Sequence, residues 1–452
     1  MAEFTHPFLQ KLTTFKDKQA LIYEGKSYSY QTLLEHTKNK LQYLKKIQSG
    51  SIIGLIGDYD IDSLSLFLAG IEKRLILTPL TNDNTIDLKL YEAKANLLYQ
   101  NGIFKTLNTK YEKNPILQNL EKKSGLILFS SGSTGKPKAI LHNLDKLLDS
   151  YLNKKIKSMY ILLFLMFDHI GGLNTLFSTL AIGACGVGIK DRKNIQALAK
   201  IIQDYKISLL PASPSLLNLL LLSNVYQAYD LSSLKIITYG TEQMPDSLLN
   251  KLRLAFPKVR FHQTFGTTEI GIIQTKTSQN SFKLEGIAYK ILDNQLYLKS
   301  DTQALGYLNT SKPAFDHKGY FATGDLVETF QKNNEEYIKI IGRIKEVINV
   351  GGEKVLPSEI EGVVLEIEGI VDCLVYGESN PITGQSIGLK VVLDSKILDC
   401  NDKIGLKKII RKHCKKYLSN YKIPTKITVV EKLEMTQRFK KIRKSTTYMG
   451  GG

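Results

Sequence analysis

The sequence predicts an α/β protein: parallel-sheet α/β units, then a small β-barrel-like section, then a small α+β unit at the C-terminal end. Three observations carry this expectation. Short apolar runs alternate with helical periods from Gln19 to Thr238. Between about 282 and 341 the pattern changes to apolar–polar alternation with short turns. From Val371 onward strands and helices mix. At 452 residues the chain is too long for one ordinary core, so two or more domains are expected.

Each element has a local reason. Gln19–Tyr23 and Lys26–Tyr30 flank Glu24-Gly25, a hairpin signal. Ser29 then opens a helix through about Leu44. Ile52–Ile56 reads as a buried strand, Asp62–Gly70 as a helix behind it and Leu75–Pro79 as the next strand, an order that implies a parallel sheet. Leu126–Phe129 is a further buried strand, Leu144–Tyr151 a helix and Ile161–Met166 a strand. Ile195, Leu198, Ile201, Ile202 and Tyr205 form a helical stripe. Ile207–Leu210 is a strand, and Ser213-Pro214 starts a helix with Ser as N-cap and Pro in the first turn. Leu234–Thr238 completes a second strand–helix–strand series, expected as a second sheet or an extension of the first. Ile291–Lys299 folds about Asp293-Asn294, with further turns at Asp316–Gly319 and Asn333-Asn334. A helix is expected from Pro357 or Ser358 to about Ile367. Val371–Tyr376, Ile387–Leu393 and Thr425–Val430 read as strands around a helix over Asp402–Leu418.

Composition excludes several classes. Apolar residues make up 43% and charged residues 23%, as in a globular enzyme. Cys185, Cys373, Cys400 and Cys414 are scattered with no C-x-x-C pair, which suggests neither zinc nor a disulfide framework. The stretch Met1–His6 has no basic n-region or apolar h-region, and the greasiest segments are too short or are broken by Pro211 and Pro214. A cytoplasmic protein without a transmembrane segment is expected. The net charge of +18 invites a nucleic-acid reading, but no recognisable binding module accompanies it. The charge is mostly Lys in an Asn- and Ile-rich chain, so no nucleic-acid partner is expected.

One stretch points to chemistry. After the Leu126–Phe129 strand comes Ser130-Ser131-Gly132-Ser133-Thr134-Gly135-Lys136-Pro137-Lys138. Small residues let backbone N–H groups converge on one anion, hydroxyls add donors, and Lys136 and Lys138 bring charge to the rim. This is a loop suited to polyphosphate. It is not the P-loop of NTPases, because Pro137 stands where Ser or Thr should hold magnesium. The segment resembles the signature loop of the adenylate-forming (AMP-binding) superfamily, and most closely its acyl-CoA synthetases and other carboxylic acid:CoA ligases.

The resemblance extends along the chain in family order. Phe265-Gly266-Thr267-Thr268-Glu269 is similar to the aromatic-Gly-x-Thr-Glu motif. The resemblance implies a ring for adenine at Phe265, a phosphate hydroxyl at Thr268 and a Mg²⁺-holding carboxylate at Glu269. Thr323-Gly324-Asp325 is similar to the Thr-Gly-Asp motif, which implies that Asp325 takes the ribose hydroxyls. Gly342–Glu361 resembles the hinge and the segment after it. There Arg343 is implied to support ribose and phosphate, Lys345 to be the pivot, and Gly351-Gly352 to allow close approach of a pantetheine arm. His169, after an apolar strand and before Gly171-Gly172, matches a histidine near the acyl site. Thr436-Gln437-Arg438-Phe439-Lys440-Lys441-Ile442-Arg443 aligns with Thr-x-x-Gly-Lys-x-x-Arg, which makes Lys440 the implied catalytic lysine. Phe439 replaces Gly, and Met435 stands where Pro is usual.

The family resemblance implies a two-domain enzyme. Residues 1–342 form the adenylation domain, with a β-rich subdomain at about 272–342, and 343–452 form a small mobile lid hinged at 343–346. The implied reaction uses ATP and Mg²⁺ to convert a carboxylic acid, expected to be fatty or aromatic, to an acyl-adenylate. The acyl group then passes to the thiol of coenzyme A. Two alternatives stay open: an acidic carrier protein as acceptor, suggested by the basic stretch from Lys403, and a non-catalytic ATP-binding relative, suggested by Phe439.

Overall fold

The computed structural model describes residues 3–107, 114–131, 136–399 and 402–443. Two sheets of seven strands carry the first half of the chain. In the first, strands Ile52–Ile56, Ile76–Leu80, Leu97–Gln100 and Gly125–Ser131 run parallel. Antiparallel neighbours close both ends: Ile103–Thr106 at one, and Pro137–Asn143 with Gly306–Tyr307 at the other. In the second, Tyr160–Leu163, Cys185–Gly188, Leu209–Ala212, Ile236–Tyr239 and Arg260–Gln263 are parallel. The second series is therefore a separate sheet and not an extension of the first.

The N-terminal hairpin joins the second sheet and not the sheet of its chain neighbours. Gln19–Tyr23 lies parallel to Cys185–Gly188. Tyr30, just after the hairpin and fully buried, donates its hydroxyl to the Ala184 carbonyl at 2.7 Å and fixes the hairpin there. Helices Ile61–Glu72 and Ile170–Ala181 bring Phe67 and Phe177 together in a core that also takes Ile53 and Leu55 from the first sheet and Leu163 from the second. The expected strand Ile161–Met166 stops at Leu163, because the Phe164 carbonyl accepts Nε–H of Arg192 at 2.7 Å.

The third sheet is antiparallel, as the alternation predicts, and begins at Phe265, ahead of the expected 272. Its long strands Phe321–Lys332 and Glu335–Arg343 set Asp325 opposite Arg343. A single turn, Ile344–Glu346, leads into a fourth sheet made of Ile348–Val350, Glu353–Val355, Ile370–Asn380, Gly384–Leu393 and Lys426–Val429. Helices Pro357–Val364 and Lys403–Tyr417 cover it and give it its own core; the first ends at Val364, short of the expected Ile367. Among the described residues no helix is long and apolar enough to cross a membrane.

His142, on the strand Pro137–Asn143, has no exposed surface. Burial pushes its pKa down to about 4, against a backbone contact at Thr268. The folded state therefore holds a neutral imidazole while the unfolded chain takes up a proton below the ordinary pKa of about 6.5. Stability from this group is lost as pH falls from about 6.5 towards 4, by about 2–3 kcal/mol at pH 4.5. His142→Leu is expected to flatten that loss, measured as urea midpoints at pH 7 and 4.5; an unchanged pH slope would exclude this residue as the cause.

Candidate functional site

A cleft of about 210 Å³ opens where the second, third and fourth sheets meet. Its floor comes from two strand ends. Ile236–Tyr239 runs out into Gly240, Thr241 and Glu242, and Arg260–Gln263 into Thr264, Phe265 and Gly266. A Cβ on Gly240 would meet the Thr264 carbonyl at 2.7 Å, so only glycine lets the two strand ends approach this closely. Thr241 follows at φ +70°, an uncommon conformation for a β-branched residue.

The side chains expected around a nucleotide fall into three groups. Asp325 is 1% exposed, and its Oδ1 pairs with Nε of Arg343 at 2.9 Å. Its Oδ2 is buried on the cleft wall, without a hydrogen-bond partner among the described residues. Burial raises the Asp325 pKa, and Arg343 opposes the rise. Phe265 also lines the cleft, but one face of its ring is already stacked on Phe282 at 5.2 Å.

The second group lies where strand Gly125–Ser131 ends. Glu269 is buried; its Oε1 accepts from the Tyr307 hydroxyl at 3.1 Å and lies 3.5 Å from Ser130 Oγ. Lys138 packs over the Tyr307 ring at 4.8 Å. The Ser130–Lys138 and Phe265–Glu269 motifs thus meet in space, through a tyrosine that sequence reasoning missed. Tyr307 belongs to a two-residue strand added to the first sheet beside Ile140, too short to leave a pattern. Ser131 ends its strand opposite Pro137, and Lys136 is exposed. Gly132, Ser133, Thr134 and Gly135 lie outside the described residues. Thr268 is partly buried, and Thr267 accepts at Oγ1 from the Ile270 N–H at 3.2 Å. Among the described residues no group of three His, Cys, Asp or Glu gathers as a metal cage. One buried carboxylate beside hydroxyls fits Mg²⁺, which keeps its waters and shares substrate phosphates.

The third group comes from the C-terminal segment. Lys440 lines the cleft, and its ammonium has no hydrogen-bond or ion-pair partner among the described residues. Burial lowers its pKa, as does Arg343, while Glu242 opposes. Its neighbours are all tied down. Lys441 Nζ pairs with Asp372 at 2.6 Å, and its N–H donates to Glu242 Oε1 at 2.9 Å. Arg443 Nη2 donates to Glu361 at 2.9 Å, and Arg438 reaches Asp168 at 3.0 Å.

His169 is the N-cap of its helix, and its Nδ1 accepts the Gly171 N–H at 3.1 Å. The proton therefore sits on Nε2. Burial, then Arg438 and Lys440, pushes its pKa down to about 3, so the ring is neutral near pH 7. Lys345 is exposed in the connecting turn, and Gly351 and Gly352 form the exposed turn of the Ile348–Val355 hairpin at φ +60° and +92°. None of these three lines the cleft in this arrangement.

Comparison with known proteins gives this geometry its family. The AMP-binding enzyme family matches residues 105–314, and the AMP-binding enzyme C-terminal domain matches residues 359–440. The chain belongs to the AMP-binding enzyme family. Within that family it is 28% identical to a 2-succinylbenzoate–CoA ligase of Staphylococcus epidermidis, covering 95% of this chain and 94% of that one. It is also 28% identical to acyl-CoA synthetase 7 of Caenorhabditis elegans, over 76% of this chain and 68% of the relative. The crystal structure of the anthranilate CoA ligase AuaEII with anthranoyl-AMP shares the fold, with a TM-score of 0.82 at 19% identity over 97% of this AMP-binding enzyme and 96% of that chain.

The unpartnered Oδ2 of Asp325 yields a test on nucleotide binding. Asp325→Asn is expected to weaken ATP binding about 10–100-fold, the worth of a hydrogen bond to a charged group. Because burial raises this pKa, ATP affinity of the unaltered protein should fall on acidification above the ordinary carboxylate range, and the Asn variant should lack that fall. Calorimetric titration with ATP from pH 8 to 5 reads both; equal affinities at all pH values would remove Asp325 from the site.

Proposed function

We propose that this protein is an AMP-forming acid–thiol ligase. It joins a carboxylic acid to ATP as an acyl-adenylate and passes the acyl group to the thiol of coenzyme A. The convergence of Phe265, the Asp325–Arg343 pair and Lys440 from three distant parts of the chain on one cleft is the observation that carries this reading.

In the first half-reaction a carboxylate oxygen attacks the α-phosphorus of ATP, and the bond to pyrophosphate breaks. Two anions must approach, so catalysis is mostly placement and charge neutralisation. Asp325 accepts the ribose hydroxyls and the free face of Phe265 lies along the adenine. Ser130, Thr268 and the Ser131–Lys138 loop take the phosphates. Lys440 neutralises the attacking carboxylate and the charge growing at the α-phosphate. Mg²⁺, held by Glu269 and phosphate oxygens, supplies further neutralisation when bound. Neutral His169, with its proton on Nε2, donates towards the acyl side and does not act as a cation there. In the second half-reaction the thiol sulfur attacks the acyl carbon, the bond to AMP breaks, and the thiol proton leaves to solvent. The unit after 343 turns about Lys345 between the two steps, which withdraws Lys440 and brings Gly351-Gly352 to the thiol.

The named activities of the relatives, on 2-succinylbenzoate and 4-coumarate, favour an aryl acid over a fatty one. The acceptor is coenzyme A on the same grounds. A carrier protein is the second reading, favoured by a net excess of cations on the outer helix Lys403–Tyr417, which holds no Asp or Glu.

Lys440→Ala is expected to lower adenylation about 10²–10³-fold, read by pyrophosphate release against a panel of aryl and fatty acids. It should largely spare thioester formation from preformed acyl-adenylate. Equal loss in both half-reactions would refute the assigned role. Parallel assays with free coenzyme A and with an acidic carrier protein decide the acceptor: a thioester on the carrier alone would overturn the first choice.

A further inference from the structure

Phe439, immediately before Lys440, has φ +53°, in the left-handed region that a bulky side chain rarely occupies. A glycine would sit there without strain. The ring stays because of where it goes. It is 7% exposed, packs on Phe164 with centroids 5.5 Å apart, and joins the apolar core of the second sheet. Its carbonyl accepts Ser213 Oγ at 3.0 Å. A residue of the C-terminal segment thus completes a wall that the second sheet leaves open.

That wall bounds a second, smaller cavity that shares Thr241 and Lys440 with the main cleft. Phe164, Met166, His169 and Thr241 line it together with Phe439. It measures about 20 Å³, against about 210 Å³ for the main cleft. This is room for about one water. An acid whose carboxylate meets the Lys440 ammonium has its carbon skeleton directed either back along the cleft or into this cavity. The Phe439 ring closes the second route.

We propose that Phe439 is a specificity-determining residue that sets the upper size of the acid, admitting compact skeletons and refusing long flexible chains. The proposal rests on the role assigned to Lys440 in adenylation. Because the ring is attached beside Lys440, it acts only while Lys440 occupies the cleft. Size selection therefore belongs to adenylation and not to thioester formation.

The test compares pyrophosphate release with benzoic, hexanoic and dodecanoic acids. The unaltered protein should show the highest kcat/KM with the compact acids. Phe439→Gly and Phe439→Ala should each raise the dodecanoic-to-benzoic ratio of kcat/KM by roughly tenfold or more, the discrimination that even one excluded methylene supports. Phe439→Leu, which keeps apolar bulk, should fall between and guards against misfolding of the smaller variants. Thioester formation from preformed adenylates should show no such shift. An unchanged ratio in folded Phe439→Gly, or a preference of the unaltered protein for dodecanoic acid, overturns the proposal. Lys440→Ala run alongside separates the two claims: if it leaves pyrophosphate release intact, or if no acid releases pyrophosphate, the reading of the site itself fails.

Discussion

The arrangement of the cleft depends on one carboxylate. Glu242 follows the strained Thr241, and its two oxygens face opposite ways. Oε2 accepts the Ser215 hydroxyl at 2.6 Å and the Ser215 N–H at 3.3 Å, which fastens it to the start of helix Pro214–Leu222. Oε1 accepts the backbone N–H of Lys441 at 2.9 Å. A backbone donor fixes the segment's path regardless of its side chains, so the residue before it, Lys440, is set over the cleft by a bond it does not itself make. Hydrogen bonds to an ionised acceptor are the stronger kind.

Backbone geometry makes that carboxylate available. Strand ends Tyr239 and Gln263 are neighbours in a parallel sheet, and the segments beyond them diverge from the sheet edge into the cleft. Thr264 N–H returns to the Tyr239 carbonyl at 2.8 Å, and Gly240 allows that contact. Gly266 does the same one step later, since a Cβ there would lie 2.4 Å from the Gly271 carbonyl. The floor of the site is thus made by close backbone approach, with side chains arriving from the third and fourth sheets. Ligands gather at the carboxyl ends of parallel strands for this reason.

Much of this was legible in the sequence. Period and turn chemistry located many of the strands and helices, because buried parallel strands read as short apolar runs and some helices announce their starts: Ser29 and Ser213 accept the expected N-terminal hydrogen bond. Helices Pro7–Thr13, Ile170–Ala181 and Asp246–Ala255 and strands Cys185–Gly188 and Arg260–Gln263 were not located. Sheet membership was not legible. Nothing local says that Gln19–Tyr23 pairs with Cys185–Gly188 across more than 150 intervening positions of chain, a contact decided by packing around Tyr30. The return strand Pro137–Asn143 was hidden by the motif before it. At the site, Asp325, Glu269 and Lys440 were legible because each sits in a local motif. Glu242, Ser213, Tyr307 and Asp168 were not, since each matters through a partner far along the chain. Phe439 was visible as a departure from pattern, but its positive φ and its burial could be known only in three dimensions.

The charge distribution explains why a net +18 says little about what the protein binds. Five cations from Arg343 and the 438–443 segment crowd one region, enough to repel one another strongly if bare. Four are neutralised where they stand: Arg343 by Asp325, Arg438 by Asp168, Lys441 by Asp372 and Arg443 by Glu361, with Glu346 near its Nε at 3.5 Å. The carboxylates of these pairs are almost wholly buried. The fifth, Lys440, has no such partner among the described residues. Its ammonium is kept among neighbours whose charges cancel pairwise, and the positive field they leave at the cleft is largely its own. A low-dielectric surround strengthens that field at close range, and an arriving carboxylate or phosphate is the anion left to answer it. The neighbouring ion pairs thus contribute by holding position while adding little net charge. Removing one of their carboxylates would unmask a second cation beside Lys440 and spread the attraction away from the reacting atoms.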